Sequence, residues 1–136
     1  MRIFLLAVMA ASLCLADAAK ETLDGVAVLA AGLSEGNASA FLAGISKSAP
    51  GYDSLAAQVR ALVEQNEVSS SVSELSNDGD DNKRVLALDW YLEVKPKSGG
   101  LGMVRRRETI RCAFERVSKK KWIVTSIEPT KFFSAQ

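Results

Sequence analysis

Apolar residues recur three or four apart through the first half of the chain and two apart through the second, so helices are expected first and strands afterwards. Leu23, Val26, Ala30 and Leu33 mark one helix, and Gly36-Asn37 follows as a stop signal. Asn37 can cap a short second helix that buries Phe41, Leu42 and Ile45. Pro50-Gly51 breaks the chain. A third helix opens at Tyr52 or Asp53, with Leu55, Val59, Leu62 and Val63 on one side and Arg60 and Glu64 toward water. After Glu67 the period changes to two. Val68 to Leu75 alternates weakly with serine, and 77–82 reads as a polar turn. Arg84 to Lys95 and Val104 to Val117 are two long strands joined by the glycine-rich stretch 98–102. Lys119-Lys120 turns into a last strand, Trp122 to Ile127, which Pro129 ends. The expected fold is α+β, with N-terminal helices packed on one face of a curved antiparallel four-stranded sheet.

Charge suggests a register for the two long strands. With Glu93 opposite Arg107, Asp89 opposite Arg111 and Tyr91 opposite Thr109, the other face pairs Leu88 with Cys112, Leu86 with Phe114 and Trp90 with Ile110. One face is then apolar and the other carries opposite-charge pairs.

The N-terminus adds a location. Arg2 supplies a positive start, Ile3 to Leu15 is apolar apart from Ser12, and Ala16-Asp17-Ala18 fits a small-x-small cleavage site. Residues 1–18 are therefore read as a signal peptide and 19–136 as a single exported domain, periplasmic or secreted. The apolar run falls short of the roughly 20 residues that span a bilayer, and the mature part has no transmembrane segment. A lipoprotein reading of Cys14 is disfavoured by the bulky Leu13 before it. Only Cys112 then remains, so no internal disulfide can form. The chain has no histidine, which excludes histidine-based triads and histidine zinc sites. No cofactor or metal is expected. The acidic turn Asp78-Gly79-Asp80-Asp81 lacks the spacing and closing Glu of a calcium loop, and Asn37-Ala38-Ser39 is a glycosylation sequon whose use depends on the source.

Three segments carry a resemblance: Leu88-Asp89-Trp90-Tyr91-Leu92, the run from Arg107 to Glu115, and Lys121-Trp122-Ile123-Val124 ahead of Ile127-Glu128-Pro129. With the helices before them they resemble the superfamily named after nuclear transport factor 2, which includes ketosteroid isomerase and polyketide cyclases. The resemblance implies a cystatin-like cone, in which the sheet wraps around the helices and the interior holds a ligand, holds a catalytic site or is filled. Enzymes, binding modules and secretion-machinery subunits share this fold, so fold alone does not choose among them.

Leu88, Trp90, Ile110, Cys112 and Phe114 are expected on the inner face as cavity-lining residues, where a small hydrophobic ligand would sit. Trp122 and the two tyrosines are further aromatic candidates. Glu108 and Arg106 share that face and are the candidate catalytic pair, a general base and an anion stabiliser; a carboxylate at the mouth of an apolar cone would have a raised pKa. Nothing matches the acid, base and tyrosine set of ketosteroid isomerase. Charge is divided between the halves: residues 19–81 carry 3 basic and 10 acidic side chains, residues 82–136 carry 13 and 5. Arg105, Arg107 and Arg111 on the outer face form a candidate partner surface for an envelope protein or a second copy. The export signal and the lack of aromatics among these arginines speak against nucleic acid. The preferred reading is a non-enzymatic binding or assembly domain. The alternative is an isomerase, dehydratase or cyclase acting on a small apolar substrate.

Overall fold

The computed structural model describes residues 2–100 and 102–135, with side chains from Asp17 onward. Three helices, α1 (Arg2–Ser34), α2 (Ala38–Ala43) and α3 (Tyr52–Gln65), precede four strands, β1 (Asn66–Gly79), β2 (Lys83–Pro96), β3 (Val104–Ser118) and β4 (Lys121–Glu128), and a 3-10 turn (Thr130–Phe133) closes the described chain. The strands form one antiparallel sheet in sequence order. This is the expected α+β architecture. Apart from Asp17 and Ala18, the expected leader lies outside the described side chains, and so does Cys14. The α1 backbone runs unbroken through the expected cleavage site. Among the described residues no helix is long and apolar enough to cross a membrane.

The helix boundaries follow local chemistry. Asn37 caps α2, its side chain accepting a hydrogen bond from the Ala40 amide at 3.0 Å. Gly51, at a φ of 72°, makes the left-handed step that opens α3. On α1 the buried stripe is Val26, Leu29, Ala30 and Leu33, while Leu23 is 38% exposed. Leu23 keeps helical spacing but lies on the shoulder of the stripe, beside β1 rather than beneath the sheet. Gly32 lets α1 meet α2 closely, since a Cβ there would stand 3.0 Å from the Phe41 amide nitrogen.

Leu86, Leu88, Trp90, Leu92 and Val94 of β2 all turn inward, and Ile110, Cys112 and Phe114 of β3 continue the same face. The faces are as the alternation requires, but the register is displaced by two residues. Leu88 pairs with Ile110, Leu86 with Cys112, Trp90 with Glu108, Tyr91 with Arg107 and Glu93 with Arg105. A shift of two preserves every in-or-out assignment. It exchanges the expected charge pairs for others of the same kind: Glu93 faces Arg105 instead of Arg107, Asp89 faces Thr109 and is reached diagonally by Arg107 instead of Arg111, and Lys83 gains Glu115 as its neighbour. Periodicity and charge therefore fit both registers equally well.

The two sheet edges differ. Gly44 to Ser46 lie beside β4: the Ser46 amide donates to the Val124 carbonyl at 2.8 Å, and the Val124 amide to the Gly44 carbonyl at 2.9 Å. At β1, the Ser34 hydroxyl accepts from the Ser70 amide at 2.9 Å and lies 3.4 Å from its carbonyl oxygen.

Candidate functional site

The expected cavity lining is the middle of the core. Leu88, Trp90, Ile110 and Cys112 have no exposed surface, and Phe114 has almost none. A cavity able to hold even one water would leave exposed area on the atoms that line it. The space is filled by Phe41 from α2 and by Phe132 and Phe133 from the C-terminal 3-10 turn. Phe133 lies 5.0 Å from Trp90, edge to face, and 5.4 Å from Phe41, with Phe132 at 5.1 Å on another side. The Trp90 indole N–H donates to the Ser70 hydroxyl at 2.8 Å, so its polar edge is satisfied within the sheet. Sequence reasoning overlooked this C-terminal plug. The available signal was a pair of phenylalanines just past the proline that ends the last strand. Trp122 belongs elsewhere, at the far end of the sheet, where its indole N–H donates to Glu21 and the Arg116 guanidinium lies 4.5 Å above its ring.

Burial pushes the Cys112 thiol up to about 12. At neutral pH it is a small apolar core residue and not a nucleophile. We expect a water-soluble aromatic disulfide reagent to leave Cys112 unmodified in the folded protein and to label it only after denaturation. Rapid labelling without denaturant would show that the core opens.

Arg106 and Glu108 lie beside this plug rather than over a hollow. With Arg107, Pro129, Lys131 and Phe132 they line an open cleft of about 400 Å³. The Arg106 guanidinium donates to the Phe132 carbonyl at 3.1 Å and to the Ser134 carbonyl, so it fastens the C-terminal turn to β3. Partial burial draws its pKa below the usual arginine value. Glu108 is exposed. The desolvated carboxylate expected at the mouth of a cone is thus absent here, because Phe132 and Phe133 occupy the ground beneath it.

Arg105, Arg107 and Arg111 are exposed together on the outer face. Arg107 grips Asp89 with two nitrogens, its Nε standing 3.0 and 3.2 Å from the two carboxylate oxygens. This hydrogen bond holds the Asp89 carboxyl below its ordinary value. Arg105 lies 3.5 Å from Glu93, which also accepts from the Tyr91 hydroxyl at 2.8 Å; that bond raises the tyrosine pKa. Arg111 stands opposite Glu128 of β4. Each arginine therefore has an acidic neighbour yet keeps much of its guanidinium in water, an arrangement that attracts anionic groups without holding one. Among the described residues no cluster of carboxylates and thiols has a metal-binding arrangement. The Asp80 carboxylate instead accepts from the Asn82 and Lys83 amides at 2.8 and 2.9 Å and closes the β1–β2 turn, which lowers its pKa.

Helices laid on the concave side of a four-stranded antiparallel meander define the nuclear-transport-factor-2-like, or cystatin-like, fold, and this chain has it. It superposes with a TM-score of 0.70 on a conserved protein from Planctomyces limnophilus, at 10% identity over 78% of this chain and 89% of that one. A nuclear-transport-factor-2-like superfamily protein from Salmonella enterica serovar Typhimurium gives 0.65 at 8% identity, covering 82% and 89%. A hexachlorocyclohexane dehydrochlorinase of type 2 gives 0.61 at 13% identity, covering 93% and 86%. The sequence itself matches no family model and no curated protein. At such identities the likeness establishes the fold, and the chemistry must come from the side chains.

Proposed function

We propose that this chain is an exported, non-enzymatic assembly domain whose basic sheet face meets an acidic protein surface. The filled interior carries the reading. A substrate or small hydrophobic ligand would have to displace Phe133 and break its contacts with Trp90 and Phe41, whereas Arg105, Arg107 and Arg111 need only exchange water and local carboxylates for a partner. Complementary charge of this kind steers and orients association. The partner is an envelope protein or the acidic helical layer of a second copy.

A second reading stays in view because a dehydrochlorinase shares the fold and because Glu108, Arg106 and Lys131 share one open cleft. There, Glu108 would serve as base for an isomerisation, dehydration or cyclisation, and Arg106 would stabilise the developing anion.

Native mass spectrometry of the exported protein, drawn gently from its own fraction, separates the two. We expect a ligand-free dimer or a protein complex, lost when Arg105→Glu and Arg107→Glu are combined and unchanged in Glu108→Gln. A retained small molecule whose binding or conversion disappears in Glu108→Gln would replace assembly by catalysis.

A further inference from the structure

The cleft where α1 meets the β1–β2 and β3–β4 turns contains a half-buried acid, Asp81, one of whose carboxylate oxygens is buried without a partner. Asp17, Glu21, Asp81, Arg116, Lys119 and Lys120 line it. Glu21 is satisfied: one of its oxygens accepts from Arg116 at 3.3 Å and from the Trp122 indole at 3.1 Å. Arg116 also donates from Nε to the Asp81 backbone carbonyl at 2.6 Å and from Nη1 to that of Lys119. Asp81 Oδ1 is buried and has no hydrogen-bond partner, and neither Lys119 nor Lys120 forms an ion pair with Asp81 among the described residues. A buried carboxylate oxygen left alone is costly and calls for a missing donor.

Asp17, which lines this cleft, immediately precedes Ala18, the last residue of the expected leader. Ala18 is fully buried inside α1, its carbonyl accepting from the Thr22 hydroxyl at 3.0 Å. The next carbonyl, that of Ala19, accepts from the same hydroxyl and from the Asn77 side chain, both at 3.0 Å. Cleavage after Ala18 would remove a buried residue and leave an ammonium with three donors at the first residue of a helix held in place by Asn77. A positive terminus opposes the helix dipole and needs an anion close by.

We infer that Asp81 is the counter-ion of the amino-terminus created by cleavage between Ala18 and Ala19. The inference rests on the leader reading. It makes the uncut chain, with one carboxylate oxygen unpaired, an incomplete form of the fold, and the cut chain the completed one. It also places the cut before α1 packs, because a protease cannot reach a peptide bond whose preceding residue is buried in a helix.

The test exports the chain with its native leader and determines the N-terminus by intact mass. Thermal unfolding is then compared for the processed protein and its Asp81→Asn variant. The same pair is measured in detergent in a background where Ala16→Leu blocks cleavage, with the processed pair repeated in that detergent. The expected result is a product starting at Ala19 whose midpoint falls by about 4 °C or more with Asp81→Asn, against no fall or a rise in the uncleaved pair, where the substitution removes an unpaired charge. An equal fall in both backgrounds, or none in the processed protein, overturns the pairing while leaving the leader intact. A product with the mass of the full chain overturns the leader reading, and the inference with it.

Discussion

Phe133→Ala is expected to cost about 3–5 kcal/mol, a large share of a small domain's stability. The ring is fully buried and touches three others, so truncation removes its own transfer energy and also opens a void bounded by Trp90, Phe41 and Phe132. Urea unfolding followed by tryptophan fluorescence would show the midpoint displaced to lower denaturant with the slope unchanged. The variant also turns a filled cone into a hollow one. Small aromatic molecules such as benzene should then raise its melting temperature and leave that of the natural sequence unaltered. A cost below about 1 kcal/mol would mean that the C-terminal turn is loosely seated and that the interior is open to ligands after all.

Asn77→Ala should be nearly as damaging, at about 3 kcal/mol, although its side chain is small and half-buried. Its amide joins three elements. Nδ2 donates to the Ala19 carbonyl at 3.0 Å and to Thr22 at 3.2 Å, while Oδ1 accepts from Arg84 Nε at 2.7 Å. Arg84 is itself buried; its other nitrogens donate to the backbone carbonyls of Asn77 at 2.9 Å and Asp80 at 3.3 Å. Alanine would leave a buried guanidinium short of one acceptor and detach the α1 segment around Ala19 and Thr22 from the sheet. Hydrogen exchange should report the second effect as faster exchange of amides near residues 19–25. Exchange unchanged there would place the anchoring of α1 in its apolar stripe alone.

These two residues mark the limits of what the sequence discloses. The three helices, the four strands and the inward and outward residues of β2 and β3 follow from apolar spacing, because burying an apolar stripe is the dominant requirement in each. The relative placement of Asp89, Glu93, Arg105 and Arg107 was less legible, since a two-residue slip satisfies the same alternation and similar charge pairs. Asn77 read as a turn residue because Ala19 and Thr22, more than fifty residues away, are brought to its side chain only by the tertiary fold. Phe132 and Phe133 followed the last strand in a segment too short to show a period. Those two decide whether the apolar inner face is a pocket or a core, so the question the sequence left open was settled by residues outside any periodic element.

The unequal sheet edges bear on how this protein can crowd. Gly44 to Ser46 cap β4 along its middle, whereas β1 is tied from outside by Ser34 at Ser70. A strand edge is a template for further strands, and a chain with templates on both sides could polymerise without end. With one side closed, copies joining through β1 about a two-fold axis consume the available template. Edge-to-edge growth through β1 would then stop at two chains, which guards against fibres.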